Sequence, residues 1–205
     1  MALEWIAVIA ALAAALGLRP WRALSAAGPP WAWLAAWALL PLLWSADRHA
    51  DSALVQPLSG ASLLLLMAGW PLAVLGLTGA ALLAFAFGAL AADEALQRLV
   101  WLGLVPASIA LAWGAAERRW LPRHLFVYIF ARGFFGTLVA TAAAAWLALW
   151  RQDPALGLST VDLLLGRWLA AWGEAIVTGM LVAVFVAYRP HWLATYSDTL
   201  YLPRR

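Results

Sequence analysis

The chain has 205 residues, of which 66% are apolar and only 11% are charged. A soluble domain averages about half apolar and about a quarter charged residues, so this chain could not cover itself with a polar surface in water. The net charge is +3 and every basic residue is Arg, but most arginines lie in short connections between apolar runs, which is a topology signal and argues against nucleic-acid binding. The absence of Cys excludes disulfides, thiolate metal sites and Cys nucleophiles.

The apolar runs predict an all-α, polytopic membrane bundle that forms a single transmembrane domain over residues 1–205. We expect seven spans, several of them shorter than the ~20 residues of a perpendicular helix. In chain order they cover 3–18, 26–44, 53–68, 70–91, 99–116, 125–150 and 162–188. The third and fourth are separated only around Gly69, Trp70 and Pro71, so this pair is either a tight helical hairpin or a re-entrant pair.

The first apolar run is predicted to be an uncleaved span. A signal peptide begins with a basic region before its apolar core. Here the charge before the core is Glu4, and Arg19 and Arg22 follow the core. That order anchors the far end of the run in the cytoplasm.

The connections predict the orientation. Eight arginines lie in the 19–25 and 117–124 connections and in the tail after 188, whereas three lie in the 45–52, 92–98 and 151–161 connections. The second group also holds five acidic residues: Asp47, Asp51, Asp93, Glu94 and Asp153. Because basic connections stay in the cytoplasm, an odd number of spans with the N-terminus outside and the C-terminus inside is expected.

Small residues recur every fourth position in two spans and predict close helix packing in lipid. They are Gly76, Ala80, Ala84 and Gly88 in the fourth span, and Gly136, Ala140 and Ala144 in the sixth. Prolines within spans predict kinks at Pro41, Pro57 and Pro106. Ser159 and Asp162 have the spacing of a capping box at the start of the last span, and Arg189-Pro190 marks its end.

Tryptophans near the ends of apolar runs predict interfacial belts, because indole favours the headgroup region. The chain has 15 Trp, and those near span ends include Trp5, Trp21, Trp44, Trp120, Trp150 and Trp192.

Three charges fall inside predicted spans: Arg132, Arg167 and Glu174. A charge in lipid needs a partner or water, so we expect an ion pair between Glu174 and Arg132 that joins the last two spans. Arg167 lies seven residues before Glu174 and therefore two turns away on the same face. These charges have either a structural role, fixing helix register, or a functional role as a conformational latch or polar cavity wall.

Polar motifs outside the spans are few. His49 lies between Asp47 and Asp51, and this set could offer ligands to a divalent cation or could be ordinary solvated side chains. His124 and His191 are expected at headgroup level. No zinc-protease, nucleophile-elbow or phosphate-loop motif occurs, so we predict that the chain is not an enzyme, has no intrinsic cofactor and depends on a partner for any energy input.

Two stretches resemble the CbiM/NikM-like permeases of energy-coupling-factor ABC transporters. Gln56–Ser62 (QPLSGAS) before Gly69-Trp70-Pro71 resembles the third-span region of that family, and Gly173–Met180 (GEAIVTGM) resembles its last-span motif. Leu121–Phe130 and Tyr188–Trp192 extend the likeness to a proteobacterial branch. The resemblance implies a multi-pass protein of the bacterial inner membrane that works with a cytoplasmic ATPase and a second transmembrane coupling subunit.

The family takes up cobalt or nickel, and its metal ligands are the N-terminal amine, a His at position 2 and a His near the third span. This chain has Ala2 and, in the third-span region, Leu63–Met67 (LLLLM) in their place. Leucine cannot replace imidazole as a ligand for these ions. The resemblance therefore implies a permease or substrate-recognition subunit for which a divalent transition metal is one possible cargo, and it assigns no metal ligand.

A non-transporting membrane scaffold or interaction protein on the same fold is the alternative function. The replaced ligands and the small-residue packing faces fit that alternative. An intramembrane enzyme is a more distant third, since only one acid lies deep within a predicted span.

Overall fold

The computed structural model describes residues 1–22, 31–49, 56–150 and 159–201. Within these ranges the chain is helical, without strands, and forms eight α-helices, two of which contain π-helical segments, and three short 3₁₀ helices at Pro20–Arg22, Ala46–His49 and Pro190–Trp192. We number them α1 Ala2–Gly17, α2 Trp31–Trp44, α3 Ala61–Ala68, α4 Trp70–Ala86, α5 Ala92–Trp120, α6 Leu125–Leu149, α7 Thr160–Tyr188 and α8 Asp198–Tyr201. Predictions that involve Asp51, Arg151, Asp153, Arg204 and Arg205, or the side chains of Arg22 and His49, lie outside this description.

Helices α5, α6 and α7 are long and apolar enough to cross a membrane. They contain 29, 25 and 29 residues, and the shorter helices α1 and α4 are also apolar. Large apolar side chains cover much of the outer surface, for example Ile6, Leu42 and Phe87, each more than half exposed. Such a surface is unfavourable in water and suits lipid, so the chain is an all-helical membrane protein.

The third predicted span, 53–68, is helical over a shorter range than expected. Residues 56–60 are not helical, and α3 begins only at Ala61. Gly69 alone separates the end of α3 from the start of α4. All residues of α3 except Leu63 are buried, so this short helix lies in the centre of the bundle.

The connection predicted over 92–98 is helical and forms the first two turns of α5. Glu94 accepts a hydrogen bond from the N–H of Ala91 at 3.0 Å and so caps the start of this helix. The start of α7 is as predicted, because the Ser159 hydroxyl accepts the N–H of Asp162 at 3.1 Å. Helix α7 ends at Tyr188, immediately before Arg189 and Pro190, as the sequence predicts.

The small-residue faces are buried where two helices meet. A side chain added at Gly76 would lie 2.8 Å from Trp33 of α2, and one added at Gly136 would lie 2.9 Å from Trp113 of α5. The predicted faces are therefore confirmed, except that Gly88 lies beyond the end of α4 and is exposed. At Gly76 and Gly136 the missing side chain leaves room for a tryptophan ring of the neighbouring helix, and a larger residue would displace that ring.

The chain after α7 turns back onto α3. The N–H groups of Ala194 and Thr195 donate to the carbonyls of Met67 and Leu66 at 3.1 and 3.3 Å. The carbonyls at the end of a helix otherwise have no partner, so this segment caps α3. The Thr195 hydroxyl also lies 2.8 Å from the hydroxyl of Tyr128, which ties α6 to the same cap.

Candidate functional site

The carboxylate of Glu174 lies at the N-terminus of α3. Glu174 is 4% exposed, and its two oxygens accept the backbone N–H groups of Ser59 and Gly60 at 2.8 and 2.9 Å. The first N–H groups of a helix have no partner within it, and the helix dipole favours a negative charge there. Glu174 thus fixes the start of α3 to the middle of α7.

The turn before α3 requires a glycine. Gly60 has a φ of +67°, a conformation that L side chains rarely adopt. A Cβ at this position would also lie 2.5 Å from the Cδ2 atom of Leu40. The sequence Ser59-Gly60 therefore allows the backbone to present two consecutive N–H groups to one carboxylate.

Every polar group of Ser59 has a partner. Its carbonyl accepts the indole N–H of Trp44 at 3.1 Å, and its hydroxyl donates to the carbonyl of Leu102 at 2.6 Å while accepting the N–H of Ala61 at 3.1 Å. Non-helical backbone within a membrane protein is tolerated only when it is satisfied in this way or lines a water-filled cavity. Trp44 is fully buried, so the interfacial prediction for this residue is wrong.

The carbonyl of Leu102 is available to Ser59 because of Pro106. In a regular helix the N–H four residues later would bond to this carbonyl, and proline has no N–H. The same region of α5, Leu99–Leu104, is a π-helix, and such segments are frequent at functional sites. Pro106 was predicted to kink the helix, and one structural consequence is that position 106 donates no N–H to the Leu102 carbonyl, which accepts the Ser59 hydroxyl.

The predicted ion pair between Glu174 and Arg132 is wrong. The ion-pair partner of Arg132 is Glu117 of α5, at 3.8 Å, and both side chains are buried. Glu117 was missed as a buried charge because it precedes Arg118 and Arg119 and reads as part of a cytoplasmic connection. Glu174 instead finds backbone donors in a segment 115 residues earlier, which no sequence spacing signals.

The side chains of Arg132 and Glu117 form an ion pair without a hydrogen bond between them. At 3.8 Å the closest atoms are beyond hydrogen-bond distance, and Arg132 Nε and Nη1 and Glu117 Oε2 have no hydrogen-bond partner among the described residues. The guanidinium lies against Gly114, where an added Cβ would be 2.7 Å from Nη2. It also lies 5.9 Å from the centre of the Tyr128 ring. This pair is separate from Glu174.

Arg167 extends from α7 to the end of α6. Its Nη1 atom donates to the carbonyl of Ala145 at 2.6 Å, one turn before α6 ends at Leu149. A cation near the last carbonyls of a helix interacts favourably with them and with the helix dipole. Arg167 therefore joins α6 and α7, and the rest of its side chain borders a cavity.

A polar cavity of about 270 Å³ lies beside Ser59, between α5, α6 and α7. Carboxylate, guanidinium, amide and hydroxyl groups contribute to its wall; these come from Asp47, Gln56, Ser59, Glu94, Gln97, Arg98, Thr141 and Arg167. Thr141 lies eight residues before the end of α6, or about 12 Å along the helix axis. The cavity therefore extends from the ends of the helices into the bundle.

Thr141 carries the one hydroxyl of the cavity wall that is both buried and unsatisfied among the described residues. Its side chain is 8% exposed, and its Oγ1 atom has no hydrogen-bond partner in that part of the chain. A buried hydroxyl without a partner is rare and unfavourable. Its Oγ1 atom has almost no accessible surface, so a polar group in the cavity would supply the missing partner only after the side chain turns about its Cα–Cβ bond.

Two ion pairs surround the entrance of the cavity. Arg98 donates to both oxygens of Asp47, each at 2.8 Å, and Arg48 pairs with Glu94. Asp47 is thus held by a guanidinium, which argues against its predicted use with His49 as a metal ligand. The described residues contain no group of three or more His, Cys, Asp or Glu that could hold a metal ion.

Comparison of the chain with family models, with curated proteins and with solved structures finds no match.

Proposed function

We propose that this protein is the solute-recognising membrane subunit of a transporter of the energy-coupling-factor type in a bacterial inner membrane. The observation that carries the proposal is the polar cavity with the unsatisfied hydroxyl of Thr141 in its wall. Sites for small molecules are concave and place a few polar groups so that they converge on the ligand. Three different segments contribute polar residues to its wall, namely Ser59, Thr141 and Arg167.

The irregular backbone before α3 supports a transport role. Non-helical backbone inside a membrane protein occurs where it is buried in protein or lines a cavity, and many transporters place such backbone at their sites. Residues 56–60 are non-helical, and Gln56, Pro57 and Ser59 border the cavity.

The resemblance to energy-coupling-factor permeases involves two stretches that contact each other. Glu174 belongs to the second stretch, and it binds the backbone of Ser59 and Gly60 in the first. We assign Glu174 the role of a positioning residue, because it holds Ser59 at the cavity wall and has hydrogen bonds to the backbone of α3. Arg132 lies elsewhere and supports helix packing, whereas Arg167 joins α6 and α7 at the cavity wall.

The proposed topology has seven passes, with the N-terminus outside and the C-terminus in the cytoplasm. The contacts Asp47–Arg98 and Arg48–Glu94 support it, since they join the two connections that this topology places outside. The cavity opens beside those connections, so a solute would enter from the outer face. The arginine-rich connections would then face a cytoplasmic ATPase.

A small polar solute fits the cavity better than a bare cobalt or nickel ion. The carboxylates of Asp47 and Glu94 are each bound to an arginine. Arg98 and Arg167 also border the cavity, and a guanidinium repels a metal cation. Hydrogen bonds to Gln56, Thr141 and Arg167 would suit a solute that carries polar groups of its own.

The test is purification of the tagged protein from its native membrane in a mild detergent, followed by mass spectrometry of the bound proteins. The proposal predicts a co-purifying ATPase and a second transmembrane subunit, with both lost in a strong detergent. Recovery of the protein without an ATPase, but with a different membrane complex, would contradict it and support the scaffold alternative.

A further inference from the structure

A basic surface lies where α5 and α6 are joined. Helix α5 ends at Trp120 and α6 begins at Leu125, and the arginines of this region are Arg118, Arg119 and Arg123. All three side chains are exposed, and none of them forms an ion pair with another described residue. Three positive charges therefore lie close together at the ends of two helices that are long enough to cross a membrane.

The acidic residue in this stretch of chain does not compensate these charges. Glu117 directly precedes Arg118 in the sequence, but its ion-pair partner is Arg132 of α6. Glu117 is only 6% exposed and Arg132 only 4%, so the two opposite charges cancel each other inside the bundle. The surface beside them keeps its positive charge, which favours an anion from outside the chain.

The guanidinium groups of this surface are available to a ligand. Arg118 donates from Nε to the carbonyl of Gly114 at 3.1 Å, a bond that holds its stem along α5 and does not use its two Nη groups. The side chains of Arg119 and Arg123 are exposed and make no hydrogen bond within the described part of the chain. A guanidinium binds a phosphate through two parallel N–H donors, so the chemistry of this surface suits a phosphate group.

Exposed aromatic rings flank these arginines. Trp120 is 78% exposed and Phe126 is 61% exposed. Aromatic rings at the end of a membrane helix favour the headgroup region, where they also contact acyl chains. The connection between α5 and α6 covers only residues 121–124, so it holds the arginines at the same level as the rings. A ligand that fits both kinds of group carries a phosphate and acyl chains together.

We propose that the surface formed by Arg118, Arg119 and Arg123 binds an acidic phospholipid, whose phosphate contacts the arginines and whose acyl chains lie against Trp120 and Phe126. Charge complementarity carries this inference, because basic groups beside a membrane helix attract anionic headgroups. The inference goes beyond the proposed function and does not depend on it, since it requires only that α5 and α6 cross the membrane.

The test titrates the purified full-length protein, in a mild detergent, with phosphatidylglycerol or with phosphatidylcholine of the same acyl chains, and counts the bound lipids by native mass spectrometry. The two lipids differ in net charge, and we expect phosphatidylglycerol to bind about tenfold more tightly. Equal binding of the two lipids would overturn the proposal. Displacement of phosphatidylglycerol by an excess of inorganic phosphate would also overturn it, because the surface would then be a site for free anions that makes no use of acyl chains.

Single substitutions test whether the site is local. Arg119→Gln and Arg123→Gln should each weaken the binding of phosphatidylglycerol about fivefold, and Arg119→Lys should keep most of the affinity because the positive charge remains. Both side chains are exposed, so these variants should have the same thermal unfolding midpoint as the unmodified protein.

Arg19→Gln is the matched control, because Arg19 is an exposed arginine just beyond the end of α1, a helix that packs against α4 and the first half of α5. It should bind phosphatidylglycerol as the unmodified protein does. An equal loss of binding in Arg19→Gln and Arg119→Gln would show a diffuse attraction and would overturn the proposal. Loss of a protein partner in Arg119→Gln with unchanged lipid binding would also overturn it, because the surface would then be a protein interface.

Discussion

Glu174 accepts the backbone N–H of Ser59 at 2.8 Å across 115 residues of sequence, and so joins the middle of α7 to the start of α3. With the second bond, from Gly60 at 2.9 Å, both carboxylate oxygens are used. An amide offers only one acceptor oxygen, and its NH₂ group would face an N–H donor. We therefore expect Glu174→Gln to lower the free energy of unfolding by about 2 kcal/mol.

Unfolding in mixed micelles, titrated with sodium dodecyl sulfate, measures this change. Glu94→Gln is the matched control, because Glu94 is partly exposed and its ion pair with Arg48 should contribute less than about 1 kcal/mol. Equal stability of Glu174→Gln and the unmodified protein would contradict the positioning role of Glu174.

Ser59 and Pro106 should show coupled effects. Ser59→Ala removes the donor to the Leu102 carbonyl and the acceptor of the Ala61 N–H, so it should destabilise the protein by about 2 kcal/mol. Pro106→Ala restores an N–H that can bond to the same carbonyl. The effect of Ser59→Ala should therefore be smaller in the Pro106→Ala background, as a double-mutant cycle of unfolding would measure. Additive effects would show that the Ser59 hydroxyl and the N–H introduced at position 106 do not compete for the Leu102 carbonyl.

Gly60→Ala should be strongly destabilising. It forces a Cβ into a left-handed conformation and within 2.5 Å of Leu40, and together these effects should cost about 3 kcal/mol. Gly17→Ala, where nothing lies within 4 Å, should be neutral or slightly stabilising because alanine favours a helix. Thermal unfolding of the two purified variants compares them directly, and similar midpoints would argue against the left-handed turn before α3.

Loss of one charge of the Arg132–Glu117 pair should destabilise the protein more than loss of both charges. Glu117→Gln leaves a buried guanidinium without its counter-ion and should cost about 3 kcal/mol. The double variant with Arg132→Met removes both charges and should regain part of that stability. Expression and unfolding of the single and double variants test this. A double variant less stable than either single variant would contradict the claim that the two charges stabilise the protein by pairing with each other.

The sequence predicts the helical membrane architecture well, because long apolar runs have few alternatives in lipid. It also predicts the end of α7 at Tyr188 and the cap at Ser159, since these depend on neighbouring residues. The non-helical segment before α3 was predicted only as a kink at Pro57, because residues 53–68 are apolar enough to read as a helix. The glycine at position 60 was a second signal of the turn.

The candidate site was predicted in part. Glu174 and Arg167 were found because charges stand out in apolar runs, but their partners are backbone groups that have no sequence signature. Thr141 was missed because a threonine in a membrane helix usually bonds to its own backbone. Only the structure shows that the Thr141 hydroxyl is buried without a hydrogen-bond partner among the described residues.

The most direct measurement of the central claim compares Thr141→Val with Thr137→Val. Valine keeps the shape of threonine and removes the hydroxyl, and Thr137 is a buried control whose hydroxyl bonds to the carbonyl of Gly133 at 2.7 Å. Small molecules released from the proteins after purification from native membranes would be identified and counted by mass spectrometry. The account predicts a solute that is bound by the unmodified protein and by Thr137→Val but is reduced about tenfold in Thr141→Val, the loss of one hydrogen bond to a buried group. Equal occupancy in all three proteins, or no bound solute in any of them, would contradict it.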